Sequence, residues 1–147
     1  MIPGNTDDAL EIPVLTFHRI VSDKVKQTNY PDDQWVASVE DFNEQMEYLY
    51  EQDYKTLSMD EYYSWYKGKR TVKKKSIVLT FDDGDYEFYY RVAPILKKYG
   101  FKATAFVVES RIKPVTSFYF DDATRHFMGA DLIERIQVEY HDTESYI

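Results

Sequence analysis

Between residues 76 and 85 the chain reads Ser-Ile-Val-Leu-Thr-Phe-Asp-Asp-Gly-Asp, and no other stretch limits the fold as much. Ile77, Val78 and Leu79 form a continuous apolar run, which suits a strand buried on both faces in a parallel sheet. The run ends in two carboxylates, and Gly84 then permits a sharp turn with positive φ. Asp82 and Asp83 are therefore expected at the C-terminal tip of a buried parallel strand. Ligand and catalytic groups of α/β folds collect at that edge. Side chains alternate along a strand, so the two acids are expected to point apart. One can hold a cation while the other stays open to a proton, a division of labour that hydrolytic metal sites use.

The rest of the chain supplies elements around that strand. Residues 1–11, with Pro3-Gly4, read as a flexible arm, and 12–147 as one domain. Ile12 to His18 reads as a first buried strand, with Pro13 at its start, where a missing donor is tolerated. His18 then falls at the same edge as the aspartates. It is either a hydrogen-bonded histidine at the core rim or a polar wall of a site. Arg19 to Pro31 reads as a loop. Ser38 caps a helix whose Phe42, Met46, Leu49 and Tyr50 share one face. Tyr54 to Leu57 is a short extended piece. Ser58 and Glu61 form a capping box that opens a second helix, ended by Gly68. Lys67 to Lys75 is a basic connector, read as solvated.

Beyond the acids, Tyr86 to Tyr99 is mainly helical, and Pro94 marks either a kink or the first turn of the helix proper. Gly100 closes it. Phe101 to Val108 reads as another buried strand, completing a βαβ crossover that should be right-handed and parallel. Pro114 to Arg125 is irregular. Asp131 is expected to cap a last helix bearing Leu132, Ile133, Ile136 and Tyr140. Residues 141–147 read as a loop entering a further strand.

Composition excludes several functions. A formal net charge of −8 argues against nucleic acid or an anionic membrane as the main partner. Cysteine is absent, which removes disulfides and thiolate metal sites. No apolar run approaches the roughly 18 residues of a membrane span. Met1 to Asn5 has neither the basic start nor the apolar core of a signal peptide, so the chain is cytoplasmic or has lost a leader. The 14 tyrosines suit either sugar stacking or an ordinary core boundary.

Thr80-Phe81-Asp82-Asp83-Gly84, followed by Ala93 to Gly100 and Lys102 to Val108 at these distances, resembles the NodB-type polysaccharide deacetylases of carbohydrate esterase family four. Phe17-His18-Arg19-Ile20 is similar to the subgroup acting on poly-N-acetylglucosamine or related envelope polymers. The resemblance runs from Ile12 to Val108 and thins towards Tyr140. It implies an α/β fold, a partial, distorted (β/α) barrel truncated after about the first half. The implied activity is metal-dependent N-deacetylation of an N-acetylglucosamine-containing polymer or peptidoglycan-type glycan at the cell envelope. Asp82 matches the general base. Asp83 matches a ligand of the divalent metal, usually zinc. His18 matches a histidine near the site, behind the ligands or beside the substrate.

The chain departs from that pattern in its histidines. The family completes its metal site with two histidines four or five residues apart, whereas this chain has only His18, His126 and His141. The pair is expected just past Ile147. The chain thus reads as an N-terminal half that holds zinc weakly or not at all and hydrolyses little by itself. Half a barrel would leave an open sheet edge, so self-association through it is expected. Two other readings remain: a non-catalytic glycan-binding relative, and a phosphoryl-accepting receiver. A receiver carries its acid pair after the first strand, unlike this chain.

Overall fold

The computed structural model describes residues 6–116 and 124–141, with side chains of the last helix described through Ile136. In chain order the elements are β1 (Val14–Phe17), β2 (Arg19–Val21), α1 (Asp23–Asn29), β3 (Val36–Ser38), α2 (Val39–Glu51), β4 (Lys55–Thr56), α3 (Met59–Tyr66) and β5 (Ser76–Asp83). A π-helical turn (Phe88–Val92), α4 (Ala93–Tyr99), β6 (Thr104–Val107), a 3-10 turn (Glu109–Arg111) and α5 (Ala130–His141) follow. This is an α/β chain, and none of its described helices is long and apolar enough to cross a membrane.

The apolar run organises the sheet as its composition requires. Ser76 through Phe81 are all buried, and β5 pairs in parallel with β1, β4 and β6. Phe17 lies opposite Phe81 on one side, and Ala105 lies opposite Phe81 on the other. β4 and β6 therefore share one edge of β5, with β1 on the other. β5, the helical segment and β6 form the expected parallel crossover. Its core is aromatic: the Phe17 and Phe81 rings stack at 5.2 Å between centroids, and Phe42 meets both edge-on.

Local signals fix the helices. Ser38 Oγ accepts from Asp41 N at 3.0 Å, and α2 buries Phe42, Met46 and Leu49. The capping box opening α3 is reciprocal, with Glu61 N donating to Ser58 Oγ and Ser58 N to Glu61 Oε2. Pro94 lies in the first turn of α4, where its missing N–H costs least. Gly100 closes α4 at φ 67°.

Five expectations are corrected. The first strand is not buried: Val14 and Thr16 are exposed and Leu15 and Phe17 half-buried, because β1 stands at the end of the strand order beside β5. Arg19 to Pro31 is not a loop, because β2 pairs with β3 and Ser22 caps α1. Ile20 and Val21 are buried, and Val21, Val25 and Val36 fill a small cluster. β6 is not buried: Phe106 and Val107 are exposed, and the anchoring burial comes from Phe101 and Ala103 just before it. Asp131 does not cap α5 from outside. It lies in the first turn and accepts from Thr116 N at 2.8 Å and Thr116 Oγ1 at 2.7 Å. Finally, the described part of the expected arm, residues 6–11, is docked. Ala9 N donates to Val72 O, Trp65 Nε1 donates to Ala9 O, and Ala9 is buried beside Leu57 and Val78. The further strand expected after residue 141 lies outside the described residues.

Candidate functional site

Parallel pairing brings the C-terminal ends of β1, β5 and β6 to one edge, which carries the first strand's histidine and both acids together. His18 Nε2 stands 3.7 Å from Asp82 Oδ2. Asp83, the next residue, turns elsewhere: its Oδ2 accepts from Arg125 Nη2 at 2.7 Å. The divergence expected from strand alternation is therefore present, but alternation is not its whole cause. Asp83 has φ 78° and Gly84 φ 75°, so the backbone is already left-handed at the second acid. A non-glycine residue held there stores strain of about 1–3 kcal/mol, a cost that gathers at functional sites. Gly84 has a second reason to be glycine, because a Cβ there would meet Val107 Cγ1 at 3.0 Å.

A cavity of about 400 Å³ opens at this edge, lined by His18, Arg19, Tyr30, Asp33, Trp35, Val36, Asp83 and Arg125. Asp82 stands beside it, in contact with His18. Behind the cavity runs a ladder of alternating charge. Arg125 grips Asp85 through Nε at 2.6 Å and Nη2 at 2.8 Å while also holding Asp83. Asp85, buried, faces Arg19 Nε at 3.8 Å. Arg19, itself 4% exposed, hydrogen-bonds Glu87, which is 1% exposed, and donates to Tyr30 Oη at 3.1 Å.

The environment moves the titrations accordingly. The hydrogen bond from Arg125 holds Asp83 below the usual carboxylate value against an opposing push from partial burial, and His18 adds to it. The bonds to Asp85 and Asp83 raise Arg125. Burial works against the charge on Arg19, but Glu87 and Asp85 outweigh it and hold Arg19 above its ordinary value. Burial pushes the Glu87 carboxyl up, and Arg19 offsets only part of that push.

Sequence reasoning found His18, Asp82 and Asp83, and the structure brings all three to one edge. It missed the ladder. Asp85 and Glu87 follow the acid pair closely, and an acid-rich turn was the only local hint. Arg125 arrives from 40 residues away, and no spacing rule reaches it.

A zinc ion does not fit these residues as they stand. Among the described residues no three of His, Asp and Glu stand close enough to hold a metal ion. Asp83 Oδ2 already serves a guanidinium, 2.7 Å from Arg125 Nη2.

Known proteins resemble the chain in sequence and in fold. It is 29% identical over 107 residues to a Bacillus subtilis protein named as a polysaccharide deacetylase, YxkH, across 73% of this chain and 35% of that one. It is 36% identical over 76 residues to the poly-β-1,6-N-acetyl-D-glucosamine N-deacetylase of Staphylococcus aureus, across 52% of this chain and 26% of that one. Among solved structures, a de-N-acetylase from Aggregatibacter actinomycetemcomitans superposes with a TM-score of 0.69 at 24% identity, covering 88% of this chain and 51% of that one. The chain thus spans about a third or less of these curated relatives and about half of that solved chain. The polysaccharide deacetylase model itself matches residues 69–145, just over half of the 147, from before the acid-tipped strand to beyond the last helix, and the chain belongs to the polysaccharide deacetylase family.

Proposed function

We propose that this chain carries the acidic side of an amide-cleaving site that removes acetyl groups from an N-acetylglucosamine polymer of the cell envelope. The observation that carries the reading is the placement of Asp82 and Asp83 at the C-terminal tip of the central strand, beside His18 and a cavity. Asp82 is the proton acceptor for the water that attacks the acetamide carbonyl. It is a carboxylate 3.7 Å from an imidazole nitrogen and free of the arginine ladder. Asp83 is the anion offered to a divalent cation, with zinc the expected one. Such a centre takes three protein ligands or more. The described residues do not assemble them, so this chain by itself releases little or no acetate. The substrate class rests on the Staphylococcus relative's name and on the cavity.

Acetate release from N-acetylglucosamine oligomers tests this, measured on the chain alone and on a polypeptide extended by the remainder of a deacetylase domain, with and without zinc. The extended protein is expected to release acetate. Asp82→Asn should abolish release while metal stays bound, and Asp83→Ala should weaken metal binding instead. Full activity in both variants would refute the assigned roles.

A second reading, a glycan-binding relative without catalysis, is favoured by one observation, the occupation of Asp83 by Arg125. Saturable binding of the oligomers without metal, and no acetate release from the extended protein, would select it. Self-association would run through β6, whose Phe106 and Val107 are exposed, and sedimentation analysis would read it.

A further inference from the structure

Trp35 is the exposed aromatic of the cavity wall. Its neighbours in the lining, Arg19 and Val36, are buried, yet Trp35 is 61% exposed. Exposure alone is ordinary for a single aromatic; what sets Trp35 apart is that its open indole lies in the cavity wall beside His18. Its exposure is not looseness of the backbone. Trp35 N donates to Asp33 Oδ1 at 2.9 Å, and Trp35 O accepts from Arg19 N at 3.2 Å. The next residue, Val36, already pairs with β2 in a parallel ladder. His18 packs against the ring at 4.8 Å between centroids, inclined by 60°. The indole is therefore fixed in place, braced by the histidine that also meets Asp82, with most of its surface open.

We propose that Trp35 is the platform on which the substrate's sugar ring lies. A pyranose presents an apolar face of C–H bonds and a rim of hydroxyls. It therefore asks for an aromatic plane with hydrogen-bonding groups around it, the usual make-up of a small-ligand pocket. Here the plane is Trp35, and the rim finds Asp33 and Tyr30 in the same wall. The cavity, at about 400 Å³, is of the size that takes a single ring-sized unit. His18 links the platform to Asp82, so a sugar seated there places its substituent towards the acids. The proposal rests on the deacetylase reading for the identity of the ligand, and it adds the residue that would hold it.

The chain has two tryptophans, which makes the test direct. Trp65 lies in α3, its indole nitrogen donating to Ala9 O at 3.2 Å, and it is not in the cavity lining. The ¹⁵N indole signals of the full chain are followed while N-acetylglucosamine oligomers are added, and again with the same oligomers after chemical de-N-acetylation. The Trp35 signal is expected to move saturably while Trp65 stays. Trp35→Ala should weaken binding by about tenfold or more, the effect of losing one good aromatic contact. Trp35→Phe should recover part of it. The remaining resonances show that each variant is folded. If Trp35→Ala binds the acetylated oligomers as well as the parent chain, the platform is refuted and the deacetylase reading stands. Equal responses of Trp35 to both oligomers support the platform and remove support for an N-acetyl substrate. Movement of Trp65 alone, or no saturable shift of Trp35, refutes the platform.

Discussion

Arg19→Met isolates the cost of the buried charge ladder. Arg19 and Glu87 are 4% and 1% exposed, and Glu87 Oε2 has no hydrogen-bond partner among the described residues. Removing the guanidinium leaves Glu87 either charged and uncompensated or protonated. Protonation sets a ceiling on the charge penalty. Against an ordinary glutamate value of about 4.3, taking up a proton at pH 7 costs about 3.7 kcal/mol, from 1.36 kcal/mol per unit over 2.7 units. At pH 5 the same step costs about 1 kcal/mol. The lost bond to Tyr30 adds about 1 kcal/mol at either pH. Asp85 contributes little, because Arg125 still grips it through two bonds.

The variant should therefore lose about 4–5 kcal/mol at pH 7 but only about 2 kcal/mol at pH 5, in line with the 3–5 kcal/mol typical of breaking one side of a buried pair. The sign follows from linkage. A carboxyl raised in the folded state contributes stability fully present below its unfolded value and lost as pH rises through the folded one. Glu87 is already raised in the parent chain, and the variant widens that window upward. Urea unfolding at pH 5 and pH 7, extrapolated to water, measures both differences. Arg19→Met combined with Glu87→Gln should lose the pH dependence. A destabilisation under about 1 kcal/mol at pH 7, or one equal at both pH values, would refute the reasoning.

Three smaller changes test the framework. Gly84→Ala combines a φ of 75° with a contact at 3.0 Å to Val107 Cγ1, so thermal unfolding should show a loss of about 1–3 kcal/mol. Gly129→Ala would drive a methyl to 2.7 Å from Thr116 N and 2.8 Å from Lys113 O. Because Thr116 Oγ1 also accepts from Gly129 N, urea unfolding should show α5 loosening first, read by amide exchange at Leu132. Ser58→Ala removes the reciprocal box opening α3 and should cost about 1 kcal/mol in urea unfolding, with the site's geometry unchanged.

Residues close in sequence decided much of this protein. The run from Ser76 to Phe81 reads as a strand buried on both faces, because Ile77 to Leu79 are apolar without alternation, the segment is short and rich in β-branched and aromatic residues, and Gly84 follows closely. Ser38, Ser58 and Gly100 fixed their helix ends through bonds that span three to five residues. The same locality put His18, Asp82 and Asp83 at strand ends. Tertiary structure decided the rest. Whether Arg19 began a loop or a buried strand depended on Glu87, 68 positions away, which with Asp85 and Tyr30 makes its burial tolerable. The exposure of β6 depended on what lies beside it, which its apolar composition does not specify. Arg125 reaches Asp83 and Asp85 only through the folded chain, and so the field around the acids was invisible until charges distant in sequence had been brought within 3 Å of them.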